Sequence, residues 1–297
     1  MKRAQMLAAV RTFFDDRDVI EVDTDILSPA APIDAHIDVM EVDMGDGKIG
    51  YLHTSPEYAL KKLLAAGSGD IYQLSHVFRA GEESPLHFPE FTMIEWYRLN
   101  LDYTAFIEET LDLIRLFLPD LPAETLSYRQ ALRTYAAIDI AETKNLYECV
   151  LNHQIDVSED AKNWDRDTLL TLLFSHLIEP QLGRERLTVI TDYPSSQAAL
   201  AKTAHIDGLE VARRFEVYYY GVELANGYDE LTDASEQRER LLEENEERIT
   251  LGKKSLPIDE EFIAALEKGL PDCRGVAVGF DRLLMLHLGN KKLGIYA

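Results

Sequence analysis

Long apolar runs are missing from this sequence, and none approaches the ~18 residues that cross a bilayer. Nor does the N-terminus pair a basic segment with an apolar core and a cleavage site. Both absences point to a cytoplasmic protein with no membrane contact. Cysteine is scarce too: Cys149 and Cys273 stand far apart with no metal-type spacing. That excludes a zinc ribbon and a disulfide framework, and leaves two packing residues in a reducing compartment. Positive charge is short, with 30 basic against 53 acidic residues and a net of -23. A chain without a basic stripe lacks the counterion-displacing face that phosphate backbones require, and its acidity suits cationic partners instead. Repeats, low-complexity tracts and Pro/Gly/Ser-rich linkers are absent, so no domain boundary stands out. Also missing are a GxxxxGK loop, a nucleophile elbow and an HExxH helix, and the GSG at Gly67 to Gly69 is too short for a dinucleotide fingerprint. Any chemistry must rest on arginines and carboxylates.

What is present is a globular composition, 46% hydrophobic over 297 residues, enough for a substantial core. Met6, Leu7, Val10, Phe13 and Phe14 recur at helical spacing, and "VIEVDT" predicts a strand after them. Ser55 as N-cap and Pro56 at the first helical position open a helix through "EYALKKLLAA" that Gly67 closes. "DIYQLSHVFR" and "EFTMIEWYR" read as strands joined by a charged loop, Ala80 to Pro89. From about Tyr103 to Lys202 the pattern is mostly helical; "LTVIT", "RFEVYYYGVEL" and "GVAVGFDRL" restore strand character. "DASEQRERLLEENEERI" reads as a charged helix with a solvated face. The expected class is α+β with a largely antiparallel sheet.

Three clusters carry chemistry. In "EFTMIEWYR", alternation sets Phe91, Met93, Glu95 and Tyr97 on one face, which is either half exposed or the floor of a polar pocket, because an unpaired buried Glu95 is costly. Arg79, at the end of the preceding strand, has the fork to clamp a phosphate or carboxylate. In "GVELANGYDELTD", Glu223 and Glu230 flank a glycine-bearing stretch, able to hold a hard cation or an ammonium group, although taken alone the stretch reads first as a hairpin with incidental acids. In "GVAVGFDRL", Gly275 and Gly279 permit close approach and Arg282 opens a helix where anions are welcome.

In this order the clusters resemble the signature of the class II aminoacyl-tRNA synthetases. "FRAGEE" through "HFPEFTMIEWY" is similar to that family's motif two, and "GVAVGFDRL" to its motif three. "TSPEY", "PEFTMIEWY" and "ELANGYDELTD" resemble the lysyl branch, especially its short paralogues that ligate lysine to elongation factor P. The resemblance spans nearly the entire chain. It implies a class II synthetase-like catalytic domain, an antiparallel sheet flanked by helices, over 1–297, with a helical insertion at about 103–185. It further implies a homodimer and, because the chain starts at the helix before motif one, no anticodon-binding domain. Together with the acidity, that counts against tRNA as acceptor.

The implied reaction activates lysine or (R)-β-lysine with ATP and Mg2+ to an aminoacyl adenylate, then passes the acyl group to a lysine side chain of elongation factor P. Carried over by residue, Arg79 meets the α-phosphate and Phe91 stacks on adenine. Ala80, Gly81, Glu82, His87 and Phe88 line the loop around ATP. Glu223 and Leu224 contact ATP, Glu223 also holding magnesium; Gly279 lies against the nucleotide and Arg282 clamps its γ-phosphate end. Arg79, Glu223 and Arg282 are the expected catalytic groups. Ser55, Pro56, Glu57 and Tyr97 frame the amino acid, with Glu57 toward the ammonium at the reacting end and Glu230 toward the distal one. Ala277 stands where lysyl-tRNA synthetases usually have glycine, which favours the β-lysine branch.

Departures exist. Asp25 replaces the proline that ends motif one, Gly81 and Phe88 replace an expected Glu and Asn of the motif-two loop, and the chain stops early at "LGIYA". Two other readings stand beside the ligase: a lysyl-adenylate enzyme with a tRNA-like or small-molecule acceptor, and a silent paralogue that only binds. Intact Arg79, Glu223, Glu230 and Arg282 argue against the second.

Overall fold

Met6, Val10, Phe13 and Phe14 are the buried side chains of the first helix, α1 (Lys2–Asp15), so the helical spacing is the core-facing stripe. The structure, a computed structural model, describes residues 2–118, 120–141 and 146–294. The chain divides into two compact units, Met1–Pro119 with Gly227–Ala297, and Asp120–Asn226.

The first unit continues with β1 (Ile20–Glu21), β2 (Leu27–Ser28), β3 (Met40–Asp43), β4 (Ile49–Leu52), α2 (Glu57–Ala65), β5 (Ile71–Phe78), β6 (Glu90–Leu99) and α3 (Tyr103–Arg115). The second contributes β7 (Ala123–Ser127), α4 (Tyr128–Ala136), α5 (Leu146–Asn152), α6 (Arg166–Leu173), β8 (Leu187–Pro194), β9 (Thr203–Ile206) and β10 (Leu209–Tyr219). Strand β11 (Val222–Asp229) carries the chain from one unit to the other, and α7 (Ala234–Thr250), α8 (Glu260–Gly269), β12 (Cys273–Gly279) and α9 (Phe280–His287) complete the first.

In the first unit β1, β5, β6 and β12 lie side by side, and β2, β4 and β3 form a small separate sheet. β6 is central, antiparallel to β5 (Ile71 opposite Tyr97) and to β12 (Gly275 opposite Tyr97, Ala277 opposite Glu95). One of its faces packs into an aromatic core: Phe14 stacks on Tyr72 at 4.1 Å and meets Trp96 edge-on at 5.3 Å, while Trp96 lies 5.9 Å from Phe106. The other face carries Phe91, Met93, Glu95 and Tyr97, as side-chain alternation dictates. Glu95 is 2% exposed, so this face is a buried polar floor and not half-exposed surface.

The second unit has its own core, in which Tyr128 stacks on Phe174 at 4.6 Å among Leu132, Leu170, Ile178 and Tyr218. β9 and β10 are joined by Asp207 and Gly208, both at positive φ, the turn that suits a two-residue hairpin. Along β10, Phe215 to Tyr219 are all buried, Glu216 included. Tyr193 and Tyr218 donate to Glu216 and Arg214 pairs with it, satisfying that buried carboxylate.

Three local expectations shift. The strand at "VIEVDT" shortens to Ile20–Glu21 and pairs parallel to β5, and β7 pairs parallel to β8; β5 with β6, β6 with β12, β8 with β10 and β9 with β10 are antiparallel, as the largely antiparallel expectation requires. Pro56, not Ser55, stands at the N-cap of α2; the Ser55 hydroxyl still accepts from Glu57 N at 3.0 Å. The charged helix α7 is not merely solvated: Gln237, Leu241, Asn245 and Arg248 are buried, and Arg248 donates to the Asp34 and Ile37 carbonyls at 2.8 and 3.0 Å.

Candidate active site

Two groups of side chains on the first unit lie at successive positions along the polar face of β6. At its start is a cationic and aromatic group. Arg79 follows β5 and closes onto the strand pair through a bond from its amide to the Pro89 carbonyl. Its guanidinium lies 5.2 Å from the Phe91 ring centroid and 3.8 Å from Glu82, and its buried Nε meets no hydrogen-bond partner among the described residues. Ala80 bonds the Asp38 carbonyl at 2.7 Å, and Gly81 takes a φ of 76°, a conformation that favours glycine. Phe88 is half-buried in the same loop.

Across this loop, Gly279 caps α9 and Arg282 occupies its first turn. A guanidinium N–H of Arg282 donates to His87 Nε2 at 2.7 Å. Burial and then the Arg282 charge push His87 below the ordinary histidine range, so the ring is neutral, with Nδ1 carrying its proton toward Ser84 Oγ at 2.7 Å. The loop is fastened by distant residues. Leu293 N donates to the Pro85 carbonyl, and Arg3 reaches Asp281 and Thr92, each at 2.5 Å. A Cβ at Gly279 would make only ordinary contact with Arg282, so close packing does not explain that glycine.

Further along β6 is an acidic group. Glu95 accepts from Ser55 Oγ at 2.7 Å and from Tyr97 Oη at 2.8 Å. Glu57, in the first turn of α2, and Glu230, just beyond β11, both face the Lys61 ammonium at 2.6 Å. Lys61 is fully buried, and Glu230 is 1% exposed. Neither Glu230 oxygen has a well-directed hydrogen-bond donor among the described residues, so its tie to Lys61 is an ion contact. Gly275 backs this carboxylate; a Cβ there would overlap Glu230 Oε1 and the Tyr97 ring. Ala277 is two residues along, opposite Glu95.

Burial raises Glu95 to about 8, with the neighbouring Glu57 adding to it, and burial likewise raises Glu230 to about 8 against the pull of Lys61. Burial opposes the charge on Lys61, but the two carboxylates outweigh it and hold the ammonium above its usual range. Two carboxylates thus contact one buried ammonium, and a third, Glu95, lies near enough to feel its charge. Breaking a buried pair by removing one partner typically costs about 3–5 kcal/mol.

Ser55, Glu57, Tyr97, Glu230 and Ala277 thus gather around one pocket, with Pro56 at its helix cap. Arg79 to Glu82, His87, Phe88, Phe91, Gly279 and Arg282 belong to the loop and helix at the other end. Glu223, half-buried, and Leu224, buried, lie on the part of β11 that belongs to the second unit. Sequence reasoning leaves out Lys61 and gives Glu95 no role. The signal for Lys61 was a lysine on the apolar stripe of α2, three residues from Tyr58 and from Leu64. Among the described residues no helix is long and apolar enough to cross a membrane, and no three His, Cys, Asp or Glu are grouped to hold a metal.

Residues 1–294 match the family described as tRNA synthetases class II (D, K and N). Curated relatives include proteins named "Elongation factor P--(R)-beta-lysine ligase". The one from Edwardsiella ictaluri is 46% identical over 99% of this chain and 92% of its own length. Those from Haemophilus influenzae and Klebsiella pneumoniae are 45% and 46% identical over the same shares.

Proposed function

We propose, since the chain belongs to the class II tRNA synthetases (D, K and N), that it is an ATP-dependent ligase activating lysine or (R)-β-lysine and transferring it to a lysine side chain of elongation factor P. The observation that carries this reading is the single face of β6. Phe91, under Arg79, and Glu95, in the acidic pocket, are four residues apart on it, ~13 Å at ~3.3 Å per residue. An anion-binding end and a cation-binding end at that separation suit an aminoacyl adenylate, whose adenine and phosphate lie at one end and ammonium groups at the other.

In the first step a carboxylate oxygen of the amino acid bonds to the α-phosphorus, and the bond to pyrophosphate breaks. This needs positioning and charge neutralisation more than a proton donor. Arg79, with its unpartnered Nε, faces the α-phosphate while Phe91 stacks on adenine. Ala80, Gly81, Glu82 and Phe88 shape the loop around the nucleotide, and Gly279 lies beside it. Arg282, steadied by neutral His87, takes the γ-phosphate end. For Leu224 and Glu223, on β11, the role of nucleotide contacts rests on the family resemblance. Magnesium takes few protein carboxylates and completes its shell with phosphate oxygens and water, so a single carboxylate, Glu223, would be enough to hold it. When bound it supplies further neutralisation of the phosphates.

In the second step the acceptor amine bonds to the activated carbonyl carbon, AMP leaves, and the amine loses its proton. Glu57 receives the ammonium at the reacting end; Glu230 and Glu95, with Ser55 and Tyr97 hydrogen-bonded to the latter, receive the distal one. Pro56 sets the entry of α2, and the Ala277 methyl selects (R)-β-lysine over lysine. The chain acts in the cytoplasm as a single catalytic domain with an insertion, and pairs as a homodimer. Exposed Ile20, Ile26, Leu27, Met44 and Ile49 support the pairing.

Pyrophosphate exchange with lysine or (R)-β-lysine tests the reading, and Arg79→Ala is expected to reduce it by at least about a hundredfold, the scale of a lost charge clamp. Exchange surviving that substitution would sink the clamp. Acyl transfer to tRNA in place of elongation factor P would replace the acceptor.

A further inference from the structure

We propose that Lys61 is a positioning residue that sets the charge of the amino-acid pocket: it fixes Glu57 and Glu230 about one ammonium and cancels one of three carboxylate charges, leaving a site matched to two substrate ammonium groups. The inference rests on the reading of this pocket as an amino-acid site, and adds what determines its selectivity.

The geometry is that of a built counter-ion. Lys61 Nζ lies 2.6 Å from Glu57 Oε1 and 2.6 Å from Glu230 Oε2, and its side chain has no exposure. Lys62, the next residue, pairs instead with Asp259 at 2.9 Å at a partly exposed position. The two carboxylates come from elements remote in sequence, the first turn of α2 and the segment after β11, and Lys61 is what joins them. Glu230 Oε1 is left without a donor among the described residues, and Gly275 leaves it room. That buried oxygen has an unused acceptor position, the one a ligand ammonium would take.

Charge then selects. The ionisable groups facing Glu230 are Lys61, Glu57 and Glu95, with the Tyr97 phenol beside them. Without Lys61, three like charges share a buried site, and Glu95 and Glu230, which already hold their protons to about 8, would hold them to higher pH still, so a substrate ammonium has more protons to displace. With Lys61, one internal ammonium and two from the substrate balance three carboxylates. An amino acid of equal length with an apolar side chain leaves one carboxylate uncompensated, and binds only if a proton accompanies it.

The test compares wild type, Lys61→Met and Lys61→Arg in pyrophosphate exchange from pH 6.5 to about 9, bracketing the titration of perturbed carboxylates. Lys61→Met is expected to raise the KM for lysine at least about tenfold, one charge contact's worth, and to leave the KM for ATP within about twofold. The acidic limb of its lysine KM profile should move to higher pH. Lys61→Arg, which keeps the charge with a different reach, should leave that limb in place. An unchanged lysine KM and limb in a folded Lys61→Met protein would overturn the proposal.

A wild-type measurement removes dependence on the variant's folding. The Lys61 ammonium should appear by NMR as a signal protected from hydrogen exchange at pH 8, shifting when lysine is added. A neutral or freely exchanging Lys61 overturns the proposal too. If the wild type exchanges pyrophosphate with no diamino acid, the proposed function falls, and the NMR signal decides the Lys61 pairing separately.

Discussion

Lys61 sits where helical periodicity assigns an apolar side chain, between Tyr58 and Leu64 on the buried stripe of α2. A lysine in "EYALKKLLAA" is read from sequence as solvated, and only the convergence of Glu57 and Glu230 on it shows otherwise. Gly275 was legible as a point of close approach, but what approaches it was not: Glu230 Oε1 and the Tyr97 ring. Gly275→Ala must displace one of them. It is expected to raise the lysine KM about tenfold or more with the ATP KM little changed, and to cost about 1–3 kcal/mol in stability, the usual range for overpacking. A lysine KM that stays put would mean that the two groups do not bind substrate. The raised carboxyls give a pH dependence of defined sign. Folded Glu95 and Glu230 keep their protons up to about 8, against an ordinary 4.5, so the ligand-free protein binds more protons than its unfolded chain in that window. Their contribution to stability is therefore fully present below 4.5 and lost as pH rises toward 8. Lysine binding runs the other way, because its ammonium groups require both carboxylates ionised. Calorimetry should show affinity falling as pH drops from 8 to 6, with proton release on binding; affinity flat over that range would refute the assignment.

The helices α1, α3 and α4 and the strands β5, β6 and β12 were legible because their apolar periods are strong. β7 was not. "AETL" has strong helix formers, and in isolation helix propensity wins; pairing with Leu187 to Thr191 of β8 makes it a strand. The two faces of β6 were legible as alternation, yet pattern alone could not decide whether Glu95 was exposed, because that depends on what covers the strand. The short strands β1, β2 and β4 leave Ile20, Leu27 and Ile49 between 37% and 56% exposed, more apolar surface than isolated side chains account for. Here Asp25, the departure from the motif-one proline, is exposed as well. If these strands join protomers, Leu27→Lys with Ile49→Lys should shift sedimentation from dimer to monomer; a wild type that sediments as a monomer at micromolar concentration would remove the proposal.

The family was legible across the entire chain because its motifs are spaced local signatures, whereas the pocket is an assembly of distant ones. The loop from Ala80 to Pro89 is tied through Leu293 to the Pro85 carbonyl, while Arg3 holds Asp281, next to Arg282. The nucleotide end therefore depends on contacts between residues almost as far apart in sequence as the described chain allows. Such loop closures are paid for late, after local helices and hairpins have formed. On refolding from denaturant, far-UV circular dichroism should recover first and pyrophosphate exchange should lag behind it. Removing residues after 290 should slow or abolish exchange while leaving the helical signal in place. The proposed adenylating site is in that sense assembled from both directions along the sequence, and a chain still missing Leu293 lacks one of the ties that hold the loop from Ala80 to Pro89.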